Sequence, residues 1–551
     1  MEYLRNADVI QAVLRNLDTG KKRAIPILRP EMDFYVSKKE YLLAKPVHFV
    51  PVAHVDKITC RYKTISKTIA GILFDRGIDE NAVNFYKDCV GAQNFRELDR
   101  LGFNPNIHGS DANVADYYIS RFLRRYPQDP AYTPTKGFYD IEVDTRGFKG
   151  FPDEKDAPCP VNAISLMNTE RHIMTAWILR NEESDSCMEF LGGLKARSEK
   201  LLKALKRMTE KTKVLCPIEK VDLRVFDDEL EMLKNFMNHV NEVARLDFLS
   251  AWNAHFDIFT IINRLKKLMK TDDISKVMCS ADMTQKEYFY YEDNFNQDYA
   301  DKGDYFSASG YSNWVDSMLI FAALRKADGK RESYMLNAIA QEELGVGKVE
   351  FAFGETLQNL PYVNFPKFMR YNLIDTFLLA LMEIKNGDID QLYTLSLKTE
   401  TRMSKVLKKT TSLRNLISKF AQENGLVLSN NRNVFNKERK TFRGGFVGEP
   451  SLNSENGIEI MGRRSGFVFE NVIDMDLASL YPTICILFKT DSSNQLGRIC
   501  LDDKGKTLAE GGKEALFVDH MVSDDAIHTG KRYFGLPGMD ELIRMFEETE
   551  E

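Results

Sequence analysis

Apolar positions along this chain fall into short runs and helical stripes rather than long blocks. The opening stretch (MEYLRNADVIQAVLRNLDTGKKR) reads as helix-like, with charges scattered through it, and Val47–Val55 reads as β-like. Arg124–Lys136 (RRYPQDPAYTPTK) is rich in turn formers and predicts a loop at a domain boundary. Gly137–Val143 (GFYDIEV) predicts a strand. Residues 195–213 predict a basic helix, and Phe248–Asn253 a second strand. Ile258, Ile261, Ile262, Leu265 and Leu268 then recur at helical spacing. Pro366–Lys385 predicts a long apolar helix that starts at a proline. Val472–Phe488 (VIDMDLASLYPTICILF) is a nearly continuous apolar run, as in a strand with sheet neighbours on both sides. Met539, Leu542, Ile543 and Phe546 form a last amphipathic stripe. The mixture predicts an α/β (mixed α+β), multidomain chain.

Composition narrows the picture. At 551 residues, with 43% hydrophobic and 11% aromatic residues, the chain is long enough for several packed cores, which excludes a disordered polypeptide. No apolar run approaches the ~18 residues of a membrane span; Ile173–Leu179 is typical of the longest. The charged N-terminus is unlike a signal peptide. Eight cysteines without a CxxC pair suit reduced thiols better than a disulfide framework or a zinc site. The net charge of −6 argues against a polyanion binder, but Leu397–Arg443 holds twelve Lys/Arg against three acids, a local +9. A patch of that size can engage phosphates, although such a run taken alone reads as a solvated helix face.

Asp140 and Glu142 sit two apart on the first predicted strand, so both carboxylates share a face and call for a cation between them. Asp257 opens the helix after the second strand. Tyr371 and Asp375 are four apart on the Pro366 helix, one above the other. Asp375 lies among Leu373, Ile374, Phe377 and Leu378, where an unpaired carboxylate is costly, so a cation or donor must meet it. Each feature is weak alone. In the order Asp140-Ile-Glu142, Asn253-x2-Phe256-Asp257, Tyr371-x3-Asp375, they resemble the exo I, exo II and exo III motifs of proofreading 3′–5′ exonucleases with an RNase H-like fold, in the tyrosine variant. The resemblance implies two divalent ions, Mg²⁺ with Mn²⁺ as alternative, held by Asp140, Glu142, Asp257 and Asp375. It also implies that Tyr371 orients the attacking water and that Asn253 and Phe256 contact DNA. Carboxylates suit such hard ions better than His or Cys. His255 reads as a neutral bystander.

Asp476-Leu-Ala-Ser479-Leu480-Tyr481-Pro482 is the most specific string in the chain, and it resembles motif A of family B DNA polymerases of the T-even phage type. By that resemblance Asp476 binds catalytic metal, while Leu477, Ser479, Leu480 and Tyr481 border the incoming dNTP. Phe442-Arg443-Gly444-Gly445 resembles the family's Tyr-x-Gly-Gly/Ala DNA-contacting element, with Phe442 in place of tyrosine. Motif B (Lys-x3-Asn-Ser-x-Tyr-Gly) and motif C (Tyr-x-Asp-Thr-Asp) are absent from the sequence, and only 75 residues follow Asp476.

The resemblance thus implies the N-terminal part of a replicative polymerase, either naturally split or a piece of a longer chain. An N-terminal domain over 1–133 is completed by the basic region 386–440, the exonuclease domain spans 134–385, and a partial palm spans 441–551. Its implied partners are primer–template DNA, single-stranded 3′ ends, dNTPs, a second polypeptide carrying motifs B and C, and a sliding clamp reached through that polypeptide, with no membrane. The implied compartment is the bacterial host cytoplasm. The alternatives are a free-standing 3′–5′ exonuclease whose palm remnant only binds DNA, and a DNA-binding scaffold with a vestigial site.

Overall fold

The structure, a computed structural model, describes residues 1–430 except 5–6, 17, 45–46, 85–99, 127–131, 295–297 and 330, together with a few short strands beyond 430. The chain divides into two compact units, Met1–Arg439 and Lys440–Glu551.

The first unit begins with strands where the sequence reads helix-like. β1 (Glu2–Leu4), β2 (Val9–Arg15) and β3 (Lys22–Leu28) form an antiparallel sheet. The reason is local. Val9, Ile10 and Val13 are β-branched, and the Asn16–Lys21 turn closes the β2–β3 hairpin, with Gly20 at φ +66° and Asn16 Oδ1 accepting from Thr19 N at 2.7 Å. β4 (Glu31–Ser37) buries Met32, Phe34 and Val36 on one face. β5 (Phe49–Pro51) stands apart, while β6 (Val55–Arg61) and β7 (Ile107–His108) flank β4. The Ile65–Asp75 helix covers Phe34 and Val36 with Ile69, Ala70 and Leu73.

The centre of this unit is a six-stranded sheet. Its strands are β8 (Lys136–Val143), β9 (Val161–Asn168), β10 (Ile173–Leu179), β11 (Lys220–Phe226), β12 (Phe248–Ala251) and, after the antiparallel pair β13 (Tyr288–Tyr291) and β14 (Tyr305–Ala308), β15 (Asn313–Asp316). They lie in the order β11-β10-β9-β8-β12-β15, with β9 antiparallel to both neighbours and every other pairing parallel. This mixed sheet with one reversed strand is consistent with an RNase H-like fold. Helices cover both faces, so the central strands β8, β9, β10 and β12 are buried on both sides, while the edge strands β11 and β15 are only partly buried. Tyr139, Ile141, Ile164, Leu166 and Trp177 pack with the Glu229–Asn238 and Ala254–Met269 helices. Phe138, Ala163, Met167 and Ala176 pack on the other face with the Phe365–Asn386 helix.

That helix is central. Asn364 caps it by accepting from Lys367 N, Pro366 sits in its first turn, and Gly387 ends it at φ +66°. Every residue from Tyr371 to Glu383 is buried, because the sheet lies on one side and the Leu194–Thr212 and Leu336–Leu344 helices lie on others. The chain then runs through the Asp388–Thr399 and Lys409–Glu423 helices to β16 (Leu426–Leu428), which pairs with β5 near the start of the sequence.

In the second unit, short antiparallel pairs join Glu459–Ile460 to Arg463–Arg464, Gly497–Ile499 to Leu516–Val518, and Ala509–Glu510 to Lys513–Glu514. The Val472–Phe488 run, with Asp476, Leu477, Ser479, Leu480 and Tyr481, lies outside the described residues. So do Phe442, Arg443, Gly444, Gly445 and the final apolar stripe.

Candidate active site

Strand alternation fixes the first two carboxylates. Tyr139 and Ile141 face one core, so Phe138, Asp140 and Glu142 face the other, where the Phe365–Asn386 helix lies. That helix turns Tyr371 and Asp375 toward them. Ligand oxygens of Asp140, Glu142 and Asp375 all lie within 4.8 Å of one another. Asp257 stands in the first turn of the Ala254–Met269 helix, buried, with the Ile141 backbone amide on β8 acting to lower its carboxyl. It falls outside the tight three-carboxylate set but close enough to Asp140 for mutual repulsion.

The electrostatics follow from crowding like charges away from water. Burial, then Asp375, pushes the Asp140 carboxyl up to about 7. Burial, then Asp140 and Asp375, holds Glu142 well above the carboxylate range; burial, then Asp140 and Asp316, does the same for Asp257. Asp375 is raised by burial despite an ion pair with Lys348, whose Nζ lies 2.5 Å from Asp375 Oδ2. Burial pulls Lys348 down, but Asp375, Tyr371 and Asp140 more than offset it, and the ammonium is held above its ordinary value. Lys348 also donates to Tyr371 Oη at 3.1 Å. Tyr371 itself is raised by burial and by Asp375.

Lys348 fills the place of the cation or donor that the sequence required opposite Asp375 without identifying it. It comes from the loop after the Leu336–Leu344 helix. Two further residues were not anticipated. Asn372, fully buried, donates Nδ2 to Asp140 Oδ2 at 3.0 Å. Asp316, at the end of β15, accepts from Ala254 N at 2.8 Å and from Met318 N at 2.9 Å, tying the start of the Asp257 helix to the sheet. Asn253 precedes that helix in the left-handed conformation, φ +62°, which asparagine tolerates better than most residues.

Other expected residues take these places. The Phe256 ring packs against the exposed Phe151, centroids 5.1 Å apart. His255 hydrogen-bonds Tyr290 Oη at 2.8 Å and Glu154 Oε1 at 3.1 Å, a bridge between segments. In the described part of the basic Leu397–Arg443 stretch, several charges are engaged internally. Arg414 pairs with Asp111, Lys419 Nζ lies 3.0 Å from Glu400, and Lys405 stacks over Tyr291 and Tyr305.

The donor set fits a hard divalent cation. It is all oxygen, its carboxylates repel one another, and Asp375 Oδ1 is buried with no hydrogen-bond partner. Asn372 Oδ1 is likewise buried and unpartnered.

Residues 128–302 match the family described as DNA polymerase family B, exonuclease domain. The DNA-directed DNA polymerase of Escherichia phage RB69 is 22% identical over 388 residues, covering 67% of this chain. The chain spans 37% of that relative's length. The family match holds Asp140, Glu142 and Asp257 but ends before Tyr371 and Asp375, whose place beside them comes from the fold. No helix among the described residues is long and apolar enough to cross a membrane.

Proposed function

We propose, from the premise that residues 128–302 carry a family B DNA polymerase exonuclease domain and that the chain corresponds to the N-terminal portion of such a polymerase, that this protein removes nucleotides from DNA 3′ ends as a proofreading nuclease. The observation that carries the reading is the meeting of Asp140, Glu142 and Asp375 within 4.8 Å, from a strand and a helix more than two hundred residues apart.

In this reading Asp140, Glu142, Asp257 and Asp375 hold Mg²⁺, or Mn²⁺ in its place. When bound, the ion supplies Lewis acidity toward water and the scissile phosphate. The remaining steps belong to the chain. Four crowded carboxyls facing one ammonium hold on to protons in the metal-free site, and bound cations would take the place of those protons. Tyr371 Oη, fixed by Lys348, orients the attacking water. Asn372 holds the Asp140 carboxylate in one rotamer. Asn253 and Phe256 line the approach of the single-stranded 3′ end.

The polymerase part of the proposal rests on the motif A string. Asp476 would bind metal, with Leu477, Ser479, Leu480 and Tyr481 at the dNTP and Phe442–Gly445 at the DNA backbone. Template-directed synthesis would then need motifs B and C, which this sequence does not carry, from a further part of the same protein or from a second polypeptide, and any link to a clamp would come through that part, in the cytoplasm of a bacterial host. One gel tests this. The chain alone is given Mg²⁺, four dNTPs and a labelled primer–template with a 3′ mismatch. Shortening without extension is expected. Extension by this chain alone would overturn the need for motifs B and C, and an unchanged primer would overturn the nuclease.

A further inference from the structure

The Leu194–Thr212 helix carries seven Lys/Arg and two Glu, a net +5 in a chain of net −6. Its apolar side, Leu201, Leu205 and Met208, is buried against the exonuclease core. Lys195, Lys200, Lys203, Lys206, Arg207 and Lys211 are all exposed. Arg197 pairs with Glu189 at 3.0 Å, but none of those six forms an ion pair among the described residues. This differs from the Leu397–Arg443 stretch, where Arg414 and Lys419 are already paired.

The pattern is ordered. Lys200, Lys203, Arg207 and Lys211 follow one another at three- and four-residue steps, one stripe with neighbours about 5–6 Å apart and about 16 Å long. Glu199 and Glu210 lie only toward its two ends. The helix packs beside the Phe365–Asn386 helix, which brings Tyr371 and Asp375 to the site. Its exposed side offers no aromatic anchor and no large apolar residue, only Ala196 beside the charges. A membrane-surface helix would need an exposed apolar face, and a protein hot spot an aromatic or aliphatic one. A row of unpaired cations at regular steps suits successive phosphates of an extended strand.

We infer that the Lys200–Lys211 stripe is an auxiliary, sequence-independent contact for the phosphate backbone of single-stranded DNA engaged by this chain. The assignment rests on the reading that the chain acts on DNA. It gives the domain grip on a strand at a distance from the carboxylates, without reading bases.

The test uses the full chain carrying Asp140→Ala, so that DNA survives, and a fluorescent single-stranded oligonucleotide titrated over a range of KCl. Joint Lys200→Glu, Lys203→Glu, Arg207→Glu and Lys211→Glu changes should weaken binding. They should also flatten the slope of log affinity against log salt by about 3, at ~0.7 per lost phosphate contact. The corresponding Lys→Gln and Arg→Gln set should flatten it equally, and reads the same quantity if the reversed charges impair folding. With Asp140 restored, hydrolysis of thymidine 5′-p-nitrophenyl phosphate, which is too short to reach the stripe, should match the unsubstituted chain. Unchanged affinity and slope would overturn the assignment, as they would if an acidic protein or anionic lipid were the true occupant. Loss of the small-substrate activity in the stripe variant would also overturn it, by placing the effect at the carboxylates. Inactivity of the unsubstituted chain on that substrate, with the salt slope still dependent on the stripe, would instead sink the nuclease reading and leave the strand contact standing.

Discussion

Asp140→Asn separates the electrostatic cost of the site from its chemistry. Asp140 titrates near 7 in the folded, metal-free chain against an ordinary 3.8, so the folded state binds a proton that the unfolded state has lost across that window. Stability must therefore fall as pH rises from about 4 to about 7, and the full penalty applies above it. At 1.36 kcal/mol per pH unit the shift corresponds to on the order of 4 kcal/mol. Asparagine keeps the shape and an oxygen to accept from Asn372 Nδ2, now at 3.0 Å from Asp140 Oδ2, but carries no charge to repel Asp375. In EDTA at pH 8, thermal melting followed by circular dichroism should show the variant more stable, by up to about 4 °C at roughly 1 °C per kcal/mol for a unit of this size. At pH 4 the two chains should melt together. With Mg²⁺, the same variant should no longer shorten a single-stranded oligonucleotide. A variant that melts lower at pH 8, or a difference that does not change with pH, would refute the claim that like-charge crowding dominates here. Retained nuclease activity would refute the assignment of Asp140 to the metal site.

Lys348→Met removes the cation touching Asp375; since Lys348 is 29% exposed, screening reduces the usual 3–5 kcal/mol for breaking a buried pair to about 1–3 kcal/mol. Melting in EDTA should drop accordingly, and Mg²⁺ should restore more stability than it adds to the unsubstituted chain; equal metal responses would contradict the role of Lys348 as internal counter-ion. Tyr371→Phe should slow nucleotide removal about 10²-fold while changing stability by only about 1 kcal/mol, checked by single-turnover digestion at saturating Mg²⁺. Gly137→Ala places a Cβ 2.4 Å from Leu246 Cδ1 between β8 and β12, so denaturant titration should show a loss of about 1–3 kcal/mol, and no loss would mean that Leu246 moves aside freely.

What the sequence displayed was local periodicity, and the structure shows where locality ends. The carboxylates of Asp140 and Glu142 share a face because strand alternation is a two-residue rule, and Tyr371 and Asp375 share one because helical repetition is a four-residue rule. β9 was harder to see, since Asn162, Ser165 and Asn168 interrupt its apolar residues although all eight positions are buried. Ser165 is tolerated because a partner arrives from afar, its Oγ meeting Thr376 Oγ1 at 2.5 Å on the Phe365–Asn386 helix, while Asn168 Oδ1 accepts locally from Glu170 N and Arg171 N. The opening hairpin was misread because scattered charges over apolar residues suit either period, and the turn at Asn16–Lys21 decides between them. Lys348 carries no periodic mark at all. It stands in a loop 27 residues before Asp375, and one lysine among many looks alike until the fold brings its ammonium to a carboxylate that burial has left short of partners. The need for a cation or donor was legible from Asp375 and its apolar neighbours, because the cost of an isolated buried charge is a property of the residue and its surroundings. Which cation met that need depended on how a loop closes over a helix, and that is settled by topology rather than by spacing.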